Sequence, residues 1–99
     1  MNNQSYFRAQ PIHDVLLAFL RQNGLETPLL EYRITQAWTE VMGDTICRYT
    51  RQVFVRNGKL QVQLTSAPLR QNLMMEHKRI AQKLNDYVGS YVINDVSFF

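Results

Sequence analysis

The dipeptide Asn57-Gly58, set between Val53-Phe54-Val55-Arg56 and Lys59-Leu60-Gln61-Val62-Gln63-Leu64, constrains this chain more than any other feature. A two-residue type I′ turn needs positive φ at both central positions, and asparagine followed by glycine adopts it readily. The pair predicts a β-hairpin and fixes its register: Arg56 opposite Lys59, Val55 opposite Leu60, Phe54 opposite Gln61, Val53 opposite Val62. Alternation then gives a core face of Val53, Val55, Leu60, Val62 and Leu64. The opposite face holds Gln52, Phe54, Arg56, Lys59, Gln61 and Gln63. An aromatic ring and two cations therefore share the solvent side, and like charges facing each other across the strands cost up to about 1 kcal/mol. Arg51 would fall on the apolar face in strict register, so the pairing is expected to end or bulge there.

Helical signals flank the hairpin. Pro11 suits a first helical turn, Ile12, Val15, Leu16 and Phe19 recur at helical spacing, and Asn23-Gly24 supplies a left-handed stop. Residues 1–10 are polar and expected to fray, leaving 11–99 as one domain. Thr27 as N-cap and Pro28 after it predict a second helix with the stripe Leu30, Ile34, Ala37, Trp38 and Val41, stopped by Gly43. Asp44 to Tyr49 reads as one further turn with Ile46 inward. Ser66 caps a long third helix over about 67–88, with Pro68 in its first turn. Leu69, Leu73, Ile80, Leu84 and Tyr87 lie within about 60° of one another on its wheel. Gly89 ends it, and Tyr91 to Phe99 reads as a last strand with Ile93, Val96 and Phe98 toward the core. The order α-α-β-β-α-β is an α+β layer fold, helices packed on a small three-stranded sheet.

The charge is unevenly distributed. Residues 45–83 carry Arg48, Arg51, Arg56, Lys59, Arg70, Lys78, Arg79 and Lys83 against Glu76 alone, a local balance of +7 in a chain of net charge +3. Such clustering is the usual electrostatic footprint of a nucleic-acid surface. With 45% hydrophobic and 19% charged residues the chain has the composition of a folded globule. No apolar run approaches the ~20 residues of a membrane span, and the first ten residues lack a signal peptide's apolar stretch. Cys47, the single cysteine, suits a reducing cytoplasm.

Catalysis has little to stand on. His13, His77 and Cys47 sit in three different elements without ligand spacing, so no metal or cofactor is expected. The glycines punctuate elements and form no phosphate loop. Trp38, at helical spacing beside Ile34 and Val41, reads as a core anchor. Met74 borders the apolar stripe of the third helix, whereas Met75 points away from it. The outer face of the hairpin is the informative surface, with Phe54 for stacking or partner packing and cations for phosphate or an acidic partner. Its structural alternative is that Phe54 lies beneath another element and the cations merely discourage edge pairing.

The segments Trp38-Thr39-Glu40-Val41-Met42-Gly43, Gly58-Lys59-Leu60-Gln61-Val62, Ser66-Ala67-Pro68-Leu69-Arg70-Gln71-Asn72-Leu73 and Leu84-Asn85, followed by a short strand, resemble the DciA family from about residue 12 onward. The resemblance implies a K-homology-like domain in a bacterial cytoplasmic protein. It also implies binding to a DnaB-type replicative helicase and to single-stranded or forked DNA, assisting helicase loading without ATP hydrolysis. The chain has no Gly-x-x-Gly loop of the kind that clamps nucleic acid in K-homology domains. The expected binding residues are therefore Arg48, Arg51, Phe54, Arg56, Lys59, Arg70, Lys78, Arg79 and Lys83. A small RNA-binding, ribosome-associated protein and a module for an acidic protein partner are the competing readings.

Overall fold

The hairpin forms in the register its turn dictates. The structure is a computed structural model that describes residues 14–16, 18–19 and 21–99. Strands β1 (Thr50–Arg56) and β2 (Lys59–Leu64) pair antiparallel with Arg56 opposite Lys59, Val55 opposite Leu60, Phe54 opposite Gln61 and Val53 opposite Val62. Asn57 and Gly58 take φ of 54° and 75°. The register shifts between Thr50 and Gln52, so Arg51 occupies a bulge and is exposed. The extra residue keeps its guanidinium off the apolar face. A third strand, β3 (Asp95–Phe98), adds to β2 in parallel, giving the order β1-β2-β3.

The chain forms an α+β fold, with the sheet's inner face covered by helices. Described residues between 14 and 22 are helical (α1), followed by α2 (Glu26–Arg48), α3 (Ala67–Met74) and α4 (His77–Val88). Ile34, Ala37 and Trp38 of α2 meet Ile80, Ala81, Leu84 and Val88 of α4 over Leu60, Val62, Leu64, Val96 and Phe98 of the sheet. Trp38 is 1% exposed, lies 5.9 Å from Phe98 between ring centroids, and donates from Nε1 to Thr50 Oγ1 at 3.2 Å. It is the core anchor its spacing indicates. Gly43 breaks the helical path at φ 84°, and the turn after it brings Ile46 against the core.

Four expectations need correction. Helix α2 begins at Glu26 with Leu25 as its N-cap and no side-chain cap, so Thr27 is already helical. Pro28 is tolerated there because the first turn leaves its N–H positions without partners inside the helix. The Arg21–Glu26 ion pair at 2.8 Å spans the preceding turn instead.

The third helix is in fact two. Leu69 and Leu73 of α3 pack beside the sheet, and α3 contacts β2 and β3, whereas α4 packs on α2 and β3. One straight rod cannot serve both sets of partners, and the positions that would bridge the two stripes are Glu76 and His77. Tyr87 consequently turns outward, 56% exposed, while Ala81, Asn85 and Val88 are buried. Val15, Leu16 and Phe19 of α1 are exposed, because the core is closed by α2, α4 and the sheet. Pro11, Ile12, His13 and the polar residues 1–10 lie outside the described residues.

The last strand is also shorter than expected. Residues 92 and 93 are held by a side chain instead of a strand: Asn85, itself buried, accepts from Val92 N at 2.9 Å and Ile93 N at 3.1 Å, and donates to Ile93 O at 2.8 Å. Gly89 supplies the left-handed cap (φ 85°) that sends the chain back past Asn85. Val96 and Phe98 alternate inward along β3, and Ile93, three residues before Val96 and outside the strand, is buried as well, so all three are core residues as expected.

Candidate nucleic-acid interface

The hairpin tip is braced from the side of β3. Asn94 N donates to Gly58 O at 2.8 Å, and a Cβ on Gly58 would come within 3.1 Å of the Asn94 amide. This close approach, together with its positive φ, favours glycine at the turn and makes any side chain there strained. Lys59 pairs in register with Asp95 of β3. The Asp95 carboxylate lies 2.6 Å from His77 Nδ1, 2.8 Å from Val96 N and 3.7 Å from Lys78 Nζ. Burial pushes this carboxyl up, but the His77 and Val96 hydrogen bonds and the nearby charges outweigh it and hold it below its usual value. An ionised carboxylate can only accept, so His77 carries a proton on Nδ1. The tip, the turn at 94 and the start of α4 are thus tied into one end of the molecule.

Phe54 projects from the sheet face that the helices leave uncovered. Its ring is half-buried and lies outside the core cluster. It meets Phe99 edge-on at 6.3 Å between centroids, and the Arg56 guanidinium lies 5.5 Å from its centroid. Phe99 extends the parallel pairing, with Phe99 N donating to Val62 O at 2.9 Å and Leu64 N donating to Phe99 O at 2.8 Å. The two rings therefore reach over the central strand from the strands on either side of it. Phe99 was not among the expected site residues. The signal for it was alternation, since an inward Phe98 sends the next residue outward.

The other candidate residues fall in three places. Arg56 and Lys59 stand beside Phe54 at the tip, exposed, and form no ion pair among the described residues. Lys78 joins that end but is drawn toward Asp95. Arg48 and Arg51 lie at the opposite end of the hairpin, where Thr65 N donates to Tyr49 O at 2.8 Å, and Arg70 follows in the α3 turn just beyond. Arg79 is paired with Glu76, and Lys83 is exposed on α4, in the helical layer.

Among the described residues no three His, Cys, Asp or Glu side chains gather as metal ligands, and no helix is long and apolar enough to cross a membrane. A shallow cleft of about 630 Å³ lies between α4 and the 89–94 turn, away from Phe54. Its wall residues Asn85 and Ile93 are already committed to holding that turn.

Residues 11–98 match the family model described as "Dna[CI] antecedent, DciA". The chain belongs to the DciA family. A UPF0232 protein of Corynebacterium glutamicum (strain R) is 25% identical over 91 residues, which are 92% of this chain and 51% of that protein. The chain thus spans about half the length of the curated relative it matches. No solved structure matches it. Within this DciA domain the family-like segments have evident physical duties. Trp38 anchors the core, Gly58 closes the hairpin, Ser66 Oγ accepts from Leu69 N at 3.3 Å to cap α3, and Asn85 holds the 92–93 backbone.

Proposed function

We propose that this DciA domain is a non-enzymatic, K-homology-like adaptor of the bacterial cytoplasm. It binds single-stranded or forked DNA and a DnaB-type replicative helicase, and it assists helicase loading. The family supports the replication role, and the charge map supports the nucleic-acid half. One observation carries the placement of the surface: Phe54, Arg56 and Lys59 stand together on the open sheet face. Arg56 faces Lys59 directly across the strands, a like-charge pairing that costs stability and serves no purpose in the core. An anionic ligand would relieve that repulsion. Contacts to phosphate from these side chains position a strand without reading its sequence.

The test is a pair of measurements on the whole chain: retention of forked DNA and co-purification with a DnaB-type helicase. Arg56→Glu with Lys59→Glu is expected to abolish DNA retention while shifting stability by no more than about 0.5 kcal/mol, the usual range for surface substitutions. Unaltered protein should lose affinity with salt at a log–log slope of about −0.7 for each phosphate contact on a single strand. A flat salt dependence would remove the nucleic-acid half of the proposal. Failure to capture helicase would remove the other half.

A further inference from the structure

We infer that the outer sheet face binds an unpaired nucleic-acid strand through its bases, with Phe54 and Phe99 as stacking rings and Arg56 and Lys59 taking phosphates at the tip. The inference rests on the nucleic-acid reading above and extends it to a ligand class and a new residue. Phe99 is 47% exposed and belongs to no core cluster. It meets Phe54 across β2, so the two rings form a continuous apolar ridge in the middle of a polar face. The residues beneath and beside that ridge are Gln61 and Gln63 of the central strand. Their amides both donate and accept, which suits base edges of any identity. The cations stand at one end of the ridge, and the guanidinium of Arg56 covers part of the Phe54 ring, offering a second flat surface.

A duplex has no use for this arrangement. Its base faces are stacked inside the helix, and a sheet presented face-on meets only phosphates, for which rings contribute nothing. Unpaired bases expose their faces, and stacking on aromatic side chains is sequence-tolerant because every base has a π-face. An acidic protein partner would also satisfy Arg56 and Lys59 and pack on the rings, but it predicts retention of no nucleic-acid probe.

The experiment compares fluorescently labelled probes on the whole chain by anisotropy. The probes are a short oligothymidylate, an abasic strand of the same length and charge, and a duplex of similar length. The oligothymidylate is expected to bind roughly tenfold or more tighter than the abasic strand, from about 1–3 kcal/mol for each stacked base. Phe99→Ala should lose roughly tenfold on the oligothymidylate, leave the abasic strand unaffected, and preserve the salt slope. A thermal melt of Phe99→Ala checks folding, and the abasic comparison needs no variant at all. Equal affinity for the oligothymidylate and abasic strands, with a steep salt dependence, would overturn base stacking and leave the nucleic-acid reading standing. Tighter binding of the duplex would do the same. Retention of none of the probes at low salt would overturn both.

Discussion

Replacing Trp38 with alanine is expected to lower the unfolding free energy by about 3–5 kcal/mol, the range for truncating a large buried aromatic. Trp38 is 1% exposed and joins α2 to the sheet through Phe98. Its indole N–H donates to Thr50 Oγ1, whose own hydroxyl donates to Ile46 O at 2.9 Å. That relay fixes the turn after Gly43 against the start of β1, so the substitution leaves a cavity and loosens a junction together. Domains of this size are stable by roughly 5–15 kcal/mol, and each kcal/mol moves the midpoint by about 4–8 °C. The melting temperature should therefore fall by at least about 12 °C, and Trp38→Phe should recover part of the loss. Urea unfolding followed by circular dichroism gives the free energy. A loss below about 1 kcal/mol would mean that Trp38 is not the anchor of this core.

Asn85→Ala is the second large effect. The substitution strips partners from two N–H groups and one carbonyl, at Val92 and Ile93. Each unsatisfied buried group costs about 1–3 kcal/mol, and relaxation makes the sum less than additive, so a total of about 2–4 kcal/mol is expected. Asn85→Asp should not rescue it. The aspartate keeps the acceptor but turns an oxygen toward Ile93 O where an amide donated, and it brings a charge into a site 8% exposed. Amide exchange at Val92 and Ile93 should quicken in Asn85→Ala more than exchange along β1. Uniform acceleration through the chain would indicate a global loss of stability and no local clamp.

Much of this structure is legible in the residues where local chemistry decides. Asparagine and glycine at the turn admit one register, and the pairing from Val53 to Val62 follows; the misplaced Arg51 marks where that register stops, and the structure resolves the stop as a bulge. The α2 stripe and the alternation of Val96 and Phe98 identify core residues for the same reason, whereas Ile93 is out of step with them and is placed by Asn85. The break at Met75 and Glu76 escapes such reasoning. No glycine or proline marks it, and a helical wheel cannot distinguish one straight helix from two short ones that face different partners. Tyr87 is misassigned as a consequence. The apolar spacing of Val15, Leu16 and Phe19 states what that face could cover, not whether anything lies beneath it.

The candidate surface divides along the same line. Phe54, Arg56 and Lys59 are neighbours through the hairpin, so sequence alone brings them together. Phe99 reaches them only through the parallel pairing of β3 with β2, which no local pattern announces. Lys78, Arg79 and Lys83 depend on where α4 begins and which way it faces, and Glu76 and Asp95 engage two of the three. Arg48 and Arg51 lie at the far end of the hairpin, where Thr65 N meets Tyr49 O, and Arg70 sits on α3 beyond β2. A charge count along the chain merges these groups, whereas the fold separates them.

Backbone amide shifts of the isotopically labelled chain, followed during titration with forked DNA, test the proposed surface most directly. The largest changes are expected at Phe54, Arg56, Lys59, Gln61, Ser97 and Phe99, with α2 and the buried face of α4 little affected. Shifts confined to α4 or to the exposed face of α1, with the outer strands silent, would contradict the account.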